Sequence, residues 1–149
     1  MLKTLSKNDH TAILNLWNSC LPDLQLTDRL LEQNTWQSPF VLQEGSAVKE
    51  QDGQIVGFVI AKMWHDTHGI RLNKAHGWIQ MLVVHPDYQK KGIGKDIMNM
   101  KVGYLNLNAP DKAFVGLFAS QGKESFYEKY EFKDHSPNMT GMFTVISKE

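Results

Sequence analysis

After the apolar run Leu82-Val-Val84 the chain reads His85-Pro-Asp-Tyr-Gln-Lys-Lys-Gly-Ile-Gly-Lys95, so two glycines and three lysines stand ahead of a helical pattern. A strand that passes through a glycine turn into a helix is suited to holding an anion. The first N–H groups of the helix have no partner inside it, the helix dipole adds partial positive charge, and Gly92 and Gly94 let the backbone approach phosphate oxygens. Lys90, Lys91 and Lys95 add full charges. A nucleoside-triphosphate loop is disfavoured, because it needs Gly where Gln89 stands and a hydroxyl where Asp96 stands. A dinucleotide fingerprint would need Gly or Ala at Ile97 and a series of parallel strands, whereas this turn follows a hairpin-rich half. On these residues alone, a helix start with solvated lysines stays open beside a phosphate site.

Other reactive types are sparse. The single cysteine, Cys20, cannot close an intrachain disulfide, and its neighbours Trp17 and Leu21 read as a buried helix interior. His65, Asp66, His68 and His76 lie close in sequence, but His65-X-X-His68 has no helix to align its rings and no cysteine to join them, so a solvated loop and no metal are expected. No Cys-His or Ser-His pattern suggests a covalent nucleophile.

The elements that must position the glycine turn follow from periodicity and punctuation. Leu2 to Leu5 reads as a short strand, and Ser6 with Asp9 forms a capping-box-like start for a helix carrying Ile13, Leu16, Trp17, Cys20 and Leu21, which Pro22 stops. Thr27 caps a second short helix with Leu30 and Leu31. From Ala47 to Trp64 the character is that of strands: Asp52-Gly53 between Val48 and the run Ile55 to Ile60 predicts a tight hairpin, and the second arm, apolar on both faces, should be central. Trp78 to Val84 is a further strand. Ile93, Ile97, Met100, Tyr104 and Leu107 give the helix after the turn its apolar positions, despite Gly103. Ala113 to Ala119 reads as a strand, Lys123 to Tyr130 as a short helix, and Phe132 with Met139 to Ile146 as the closing strands.

Read as a whole, Gln89-Lys-Lys-Gly-Ile-Gly94 directly after Leu82-Val-Val-His-Pro86 resembles the acyl-CoA signature of the GNAT superfamily of N-acyltransferases: Gln or Arg, two residues, Gly, one residue, Gly or Ala. Ser125-Phe-Tyr-Glu-Lys-Tyr-Glu-Phe132 is similar to that family's closing motif, and the order of elements resembles its fold over nearly the full chain. The resemblance implies an α/β fold over 1–149 as one domain. Its central sheet is mixed, mostly antiparallel and twisted, it is flanked by helices, and splayed parallel strands hold acyl-CoA. It also implies an acetyl-CoA-dependent N-acetyltransferase in which a primary amine attacks the thioester directly in a ternary complex. The pyrophosphate would sit on the amides from Gln89 through Lys90, Lys91, Gly92, Ile93 and Gly94 to Lys95, and the pantetheine arm would pair along Leu82, Val83 and Val84. The Leu82 amide would stabilise the oxyanion, Tyr127 would protonate the leaving thiolate, and Ser120 would stand where many members contact the pantetheine with Asn. Gln80 replaces a glutamate that some members use as base, so the base is unassigned, with a water relay through one of the four loop groups open. Glu131 replaces a glycine of the closing motif. Trp36, Phe40 and Trp64 are candidates to line the acceptor pocket.

Sixteen Lys plus Arg balance sixteen Asp plus Glu in 149 residues, so no net field draws the protein to nucleic acid or to a membrane. With no signal-like N-terminal segment, a cytoplasmic location is expected. The acceptor amine is not legible, and a homodimer is left open. A non-catalytic acyl-CoA-binding regulatory domain and a structural domain with a vacant turn are the rival readings.

Overall fold

The computed structural model describes residues 1–65, 72–109, 113–119 and 122–134. They belong to two units, Met1–Phe118 and Ala119–Glu149. Strand β1 (Leu2–Thr4) leads to Ser6, whose N–H and hydroxyl both donate to Asp9 Oδ2, at 2.9 and 3.0 Å, and helix α1 (His10–Cys20) starts from that turn. Helix α2 (Asp28–Asn34) is capped as expected, the Leu30 N–H donating to Thr27 Oγ1 at 3.2 Å. Strands β2 (Ala47–Gln51) and β3 (Gln54–His65) are joined by Asp52 and Gly53 at φ 52° and 76°, the left-handed pair that a two-residue hairpin needs. Strand β4 (Leu72–Val84), helix α3 (Ile93–Asn108) and strand β5 (Phe114–Leu117) complete the first unit, and α4 (Glu124–Glu128) is the helix of the second.

The sheet order is β1-β2-β3-β4-β5, with β1 to β4 antiparallel and β5 parallel to β4. This is the mixed, mostly antiparallel α/β sheet expected, and β3 is its central strand. Strand β3 reaches His65, in line with the strand character read as far as Trp64, whereas β4 begins well before Trp78, because its outer end carries Asn73 and Lys74 where no alternation marks a strand. The expected segment Met139 to Ile146 lies outside the described residues.

Alternation splits the sheet into two buried faces. Phe58 and Ile60, with Val48, Met81 and Val83, pack against Leu5, Ile13 and Leu16 from the α1 side and Leu31 from α2. Gly57, Val59 and Ala61 point the other way, toward α3. A Cβ on Gly57 would stand 3.1 Å from Ile97 Cδ1 and 3.2 Å from Ile93 Cγ2, so that glycine lets the helix lie close on the sheet. The buried row of α3 is Ile93, Ile97, Met98 and Lys101, and Leu107 is 86% exposed, so the apolar stripe read from the sequence is corrected at that end.

Lys101 takes its place in that row as a buried cation, 1% exposed. Its Nζ donates to the Gly45 carbonyl at 2.6 Å and lies 5.5 Å from the Tyr104 ring centroid. Any side chain at position 45 would meet it, since a Cβ there would be 2.6 Å from Nζ. Burial pushes the ammonium down from 10.5 to about 8, which corresponds to about 3 kcal/mol of charge-burial cost at neutral pH. From pH 8 to 10.5 the unfolded chain keeps a proton that the folded chain has shed, so stability rises with pH through that window. Urea unfolding of the wild type against Lys101→Met will show the difference between their stabilities shifting by about 3 kcal/mol in favour of the wild type across it. A pH-independent difference would refute the account.

Candidate active site

The strand that leads into the glycine turn is interrupted once where it can matter. Pairing of β3 with β4 runs Gly57↔Val84, Phe58↔Val83, Val59↔Leu82 and Ile60↔Met81, then resumes at Ala61↔Ile79, so Gln80 is an extra residue in β4, a β-bulge. The His85 N–H donates to the Val56 carbonyl at 2.8 Å. In an antiparallel ladder this fixes the alternation. Met81 and Val83 turn their backbone groups into β3, while Leu82 and Val84 turn theirs toward the opposite side. On that side β5 pairs only from His76↔Phe114 to Ile79↔Leu117. Past the bulge no described strand pairs with β4 on the β5 side, and the Leu82 N–H and carbonyl face the opening. Val83, 7% exposed, holds the strand in the core instead.

From Val84 the chain turns through Pro86–Tyr88. Gln89 braces this turn: its N–H donates to the Pro86 carbonyl at 3.2 Å and its Nε2 to the Val84 carbonyl at 3.0 Å. The Gln89 amide is therefore already used, and the backbone donors expected at the turn start at Lys90. Lys90 and Gly92 adopt φ 62° and 84°, and Gly92 caps α3 without a side-chain bond. The first ladder bond of α3 runs from the Asp96 N–H to the Gly92 carbonyl at 2.9 Å, so the Ile93 and Gly94 amides precede the ladder. Asp96 is drawn aside by Lys49 at 2.9 Å, and Lys91 Nζ lies 5.3 Å from the Tyr88 ring centroid. The result is a run of N–H groups with lysines beside it in the chain, continuous with the open edge of β4.

Next to the bulge, three side chains that the sequence does not bring together meet. Asn34 at the end of α2 donates through Nδ2 to the Leu30 carbonyl at 2.9 Å, which turns its Oδ1 toward Lys62 Nζ at 3.2 Å and Gln80 Nε2 at 3.5 Å. Burial pushes the Lys62 ammonium below its usual value. Lys62, the one lysine of β3, carries the only sequence signal for the group, a charge breaking an apolar strand. A groove of about 620 Å³ on the α1 side includes Lys3, Asp9 and Glu50, but its lysine is paired with both carboxylates, at 3.3 and 3.1 Å.

Residues 42–134, well over half of the chain, match the family model of the GNAT acetyltransferase domain. The chain belongs to the GNAT acetyltransferase family. A comparison with curated proteins found no match. Among solved structures, the chain is similar to a Trypanosoma brucei acetyltransferase, with 24% identity, 96% of this chain and 99% of that chain covered, and a TM-score of 0.65. It is similar to a ribosomal-protein-alanine N-acetyltransferase from Brucella melitensis biovar Abortus 2308, at 20% identity, 99% of each chain covered and a TM-score of 0.68. A third is Arabidopsis thaliana Naa50 in complex with the bisubstrate analogue CoA-Ac-MVNAL, at 15% identity, with 88% of this chain and 79% of that chain covered and a TM-score of 0.63. At these identities the structures speak for the shared GNAT fold.

The closing motif of the family lies in the second unit. Tyr127 on α4 is half-buried, its ring 5.0 Å from that of Phe126 and 6.4 Å from that of Phe132, and burial raises its phenol above the ordinary value of 10.0. Glu131 adopts a left-handed conformation, at φ 67°. Ser120, Asp66 and His68 lie outside the described residues, and of Trp64, His65 and His76 only the backbone is described. Trp36 is tied by its Nε1–H to His10 Nδ1 at 2.7 Å and packs on the core, and Cys20 is half-buried against it. Among the described residues no three His, Cys, Asp or Glu are grouped to hold a metal, and no helix is long and apolar enough to cross a membrane. The turn's conformation gives paired expectations: Gly92→Ala lowers stability by about 1 kcal/mol, and Lys90→Gly, which relieves a left-handed lysine, raises it by a similar amount. Urea midpoints of the two variants moving in the same direction would contradict the two φ values.

Proposed function

We propose that this GNAT enzyme transfers the acetyl group of acetyl-CoA to a primary amine by direct attack in a ternary complex, with residues 1–149 acting as one such domain. The observation that carries the reading is the bulge at Gln80, beyond which β4 presents the Leu82 backbone to an open edge that runs into the glycine turn. The donors present suit the group. A row of amides from Lys90 to Gly94 at a helix start without a side-chain cap, with Lys90, Lys91 and Lys95 nearby, is chemistry for a pyrophosphate, and the open β4 edge at Leu82 and the Val84 N–H is chemistry for the amides of a pantetheine arm. When bound, acetyl-CoA supplies a thioester carbonyl and a thiolate leaving group.

In this reading the Leu82 N–H holds the negative charge that gathers on the carbonyl oxygen as the amine attacks. A preorganised donor of this kind contributes about 3–4 kcal/mol in comparable sites. Tyr127 gives its phenolic proton to the departing sulfur, a role assigned from the closing motif. Its raised pKa keeps that proton in place through the neutral range. Gln80 cannot accept a proton near neutral pH, so the amine enters as its neutral form and releases its second proton to water. The enzyme is read as cytoplasmic, with acetyl-CoA and an amine as its partners and neither nucleic acid nor membrane, in keeping with its balanced charge.

Two substitutions separate binding from chemistry. Gly94→Val crowds the approach to the turn and should weaken acetyl-CoA binding at least tenfold in calorimetry, about 1.4 kcal/mol, with the fold intact; unchanged affinity would remove the turn from the site. Tyr127→Phe should bind acetyl-CoA nearly as the wild type does, while the rate of CoA release falls roughly 10²-fold. The parental rate in this variant, with chemistry limiting, would make Tyr127 a packing residue.

A further inference from the structure

The acceptor's chemical class is written in the side chains around the bulge, an inference that rests on the acetyl-transfer reading. Along β3 the residues Phe58, Ile60 and Lys62 share one face, and the first two are in the core beneath α1 and α2. Lys62 comes next in that row, so its stem leaves the core and its ammonium emerges half-buried at the end of α2. It has one hydrogen-bond partner, Asn34 Oδ1, and no carboxylate among the described residues within ion-pair distance. Two of its N–H groups therefore remain to be directed at something else. Gln80 spends its Nε2 on the same Asn34 oxygen, and among the described residues nothing donates to its Oε1.

The cation is matched by an apolar wall on the other side of β4. Trp78 is the cross-strand partner of Lys62, and its ring leans over β5: a Cβ on Gly116 would stand 2.7 Å from Trp78 Cζ3. Phe118 stacks on that ring at 5.2 Å and 14°, leaving its own side chain 85% exposed. Around the bulge the surface thus holds a cation on β3, the Gln80 amide on β4 and the aromatic pair of Trp78 and Phe118. Gln80 is two residues, roughly 6–7 Å, from Leu82.

We infer that the acceptor is an α-amino acid with an apolar side chain, its carboxylate held by Lys62, its amine by Gln80 Oε1 and its side chain against Trp78 and Phe118. Lys62 is a specificity residue in this scheme. Its charge also disfavours a second ammonium beside the reacting amine, which counts against polycationic acceptors. The depressed basicity of Lys62 agrees with a partly desolvated ammonium awaiting a counter-charge, although the placement of the groups is what carries the assignment.

The test measures CoA release with L-leucine, L-methionine and L-phenylalanine against their carboxamides, which keep the amine and lose the charge. The wild type should favour each amino acid over its carboxamide at least tenfold in kcat/KM. Lys62→Met should bring that ratio close to one, chiefly by raising KM for the amino acids, while acetyl-CoA affinity stays within about threefold. Lys62→Arg, which keeps the cation, should retain the preference and so controls for folding. Equal use of both series by the wild type, or a preference that survives in Lys62→Met, would overturn the inference. Calorimetric titration of the same compounds into the CoA-saturated protein keeps the two readings apart. Lys62-dependent binding of the amino acids without turnover would leave the inference standing and defeat the transfer reading, and turnover with no Lys62-dependent discrimination would do the reverse.

Discussion

One extra residue in one strand sets the geometry of the site. Without Gln80 as a bulge, β4 would keep step with β3 from Gly77 through to Val84. The bulge bends the strand and makes two residues oppose one, so the alternation before it and after it is out of phase. Ile79 faces α3 and Met81 faces α1, although they are separated by two positions that would otherwise put them on one face. Pairing with β5 stops at the same point, at Ile79↔Leu117. An unpaired backbone edge inside a sheet is unfavourable unless something else satisfies it. An extended amide-bearing ligand is the kind of partner that does.

The parts that were legible in the sequence are those set by neighbours along the chain. Thr27 as a cap, Asp52-Gly53 as a hairpin, and the glycine turn ahead of α3 each depend on a handful of adjacent residues, and each is found where the local chemistry puts it. The turn's inner wiring was less accessible, because Gln89 is drawn into bracing the loop by the carbonyls of Pro86 and Val84. The group of Asn34, Lys62 and Gln80 was out of reach. It needs the register of β3 against β4 and the seating of α2, and neither leaves a periodic mark. Lys101 misled the helical pattern for a related reason: a cation in the buried row of α3 hides the row, and the exposed Leu107 supplies a false one.

Two lysines placed by the same sheet behave differently. Lys101 is sealed over by the turn at Gly45 and its one bond, so its charge weighs on stability alone. Lys62 stands at the rim, where the same desolvation is milder and a ligand can reach the ammonium. The difference lies in what covers each ammonium: the turn at Gly45 closes over Lys101, whereas Lys62 emerges half-buried at the end of α2.

The strand order has a further consequence, for the path by which the chain folds. Strands β2, β3 and β4 are neighbours in sequence and in space, so short closures suffice to assemble them, and β1 adds to β2 without disturbing that order. Strand β5 is parallel to β4 and can join only after α3 has crossed over, a slower step because a longer loop must close before any contact rewards it. The antiparallel body can therefore exist before the opening beside Leu82 does. Variation in the last strand, which joins after that body, can then change what the opening accepts.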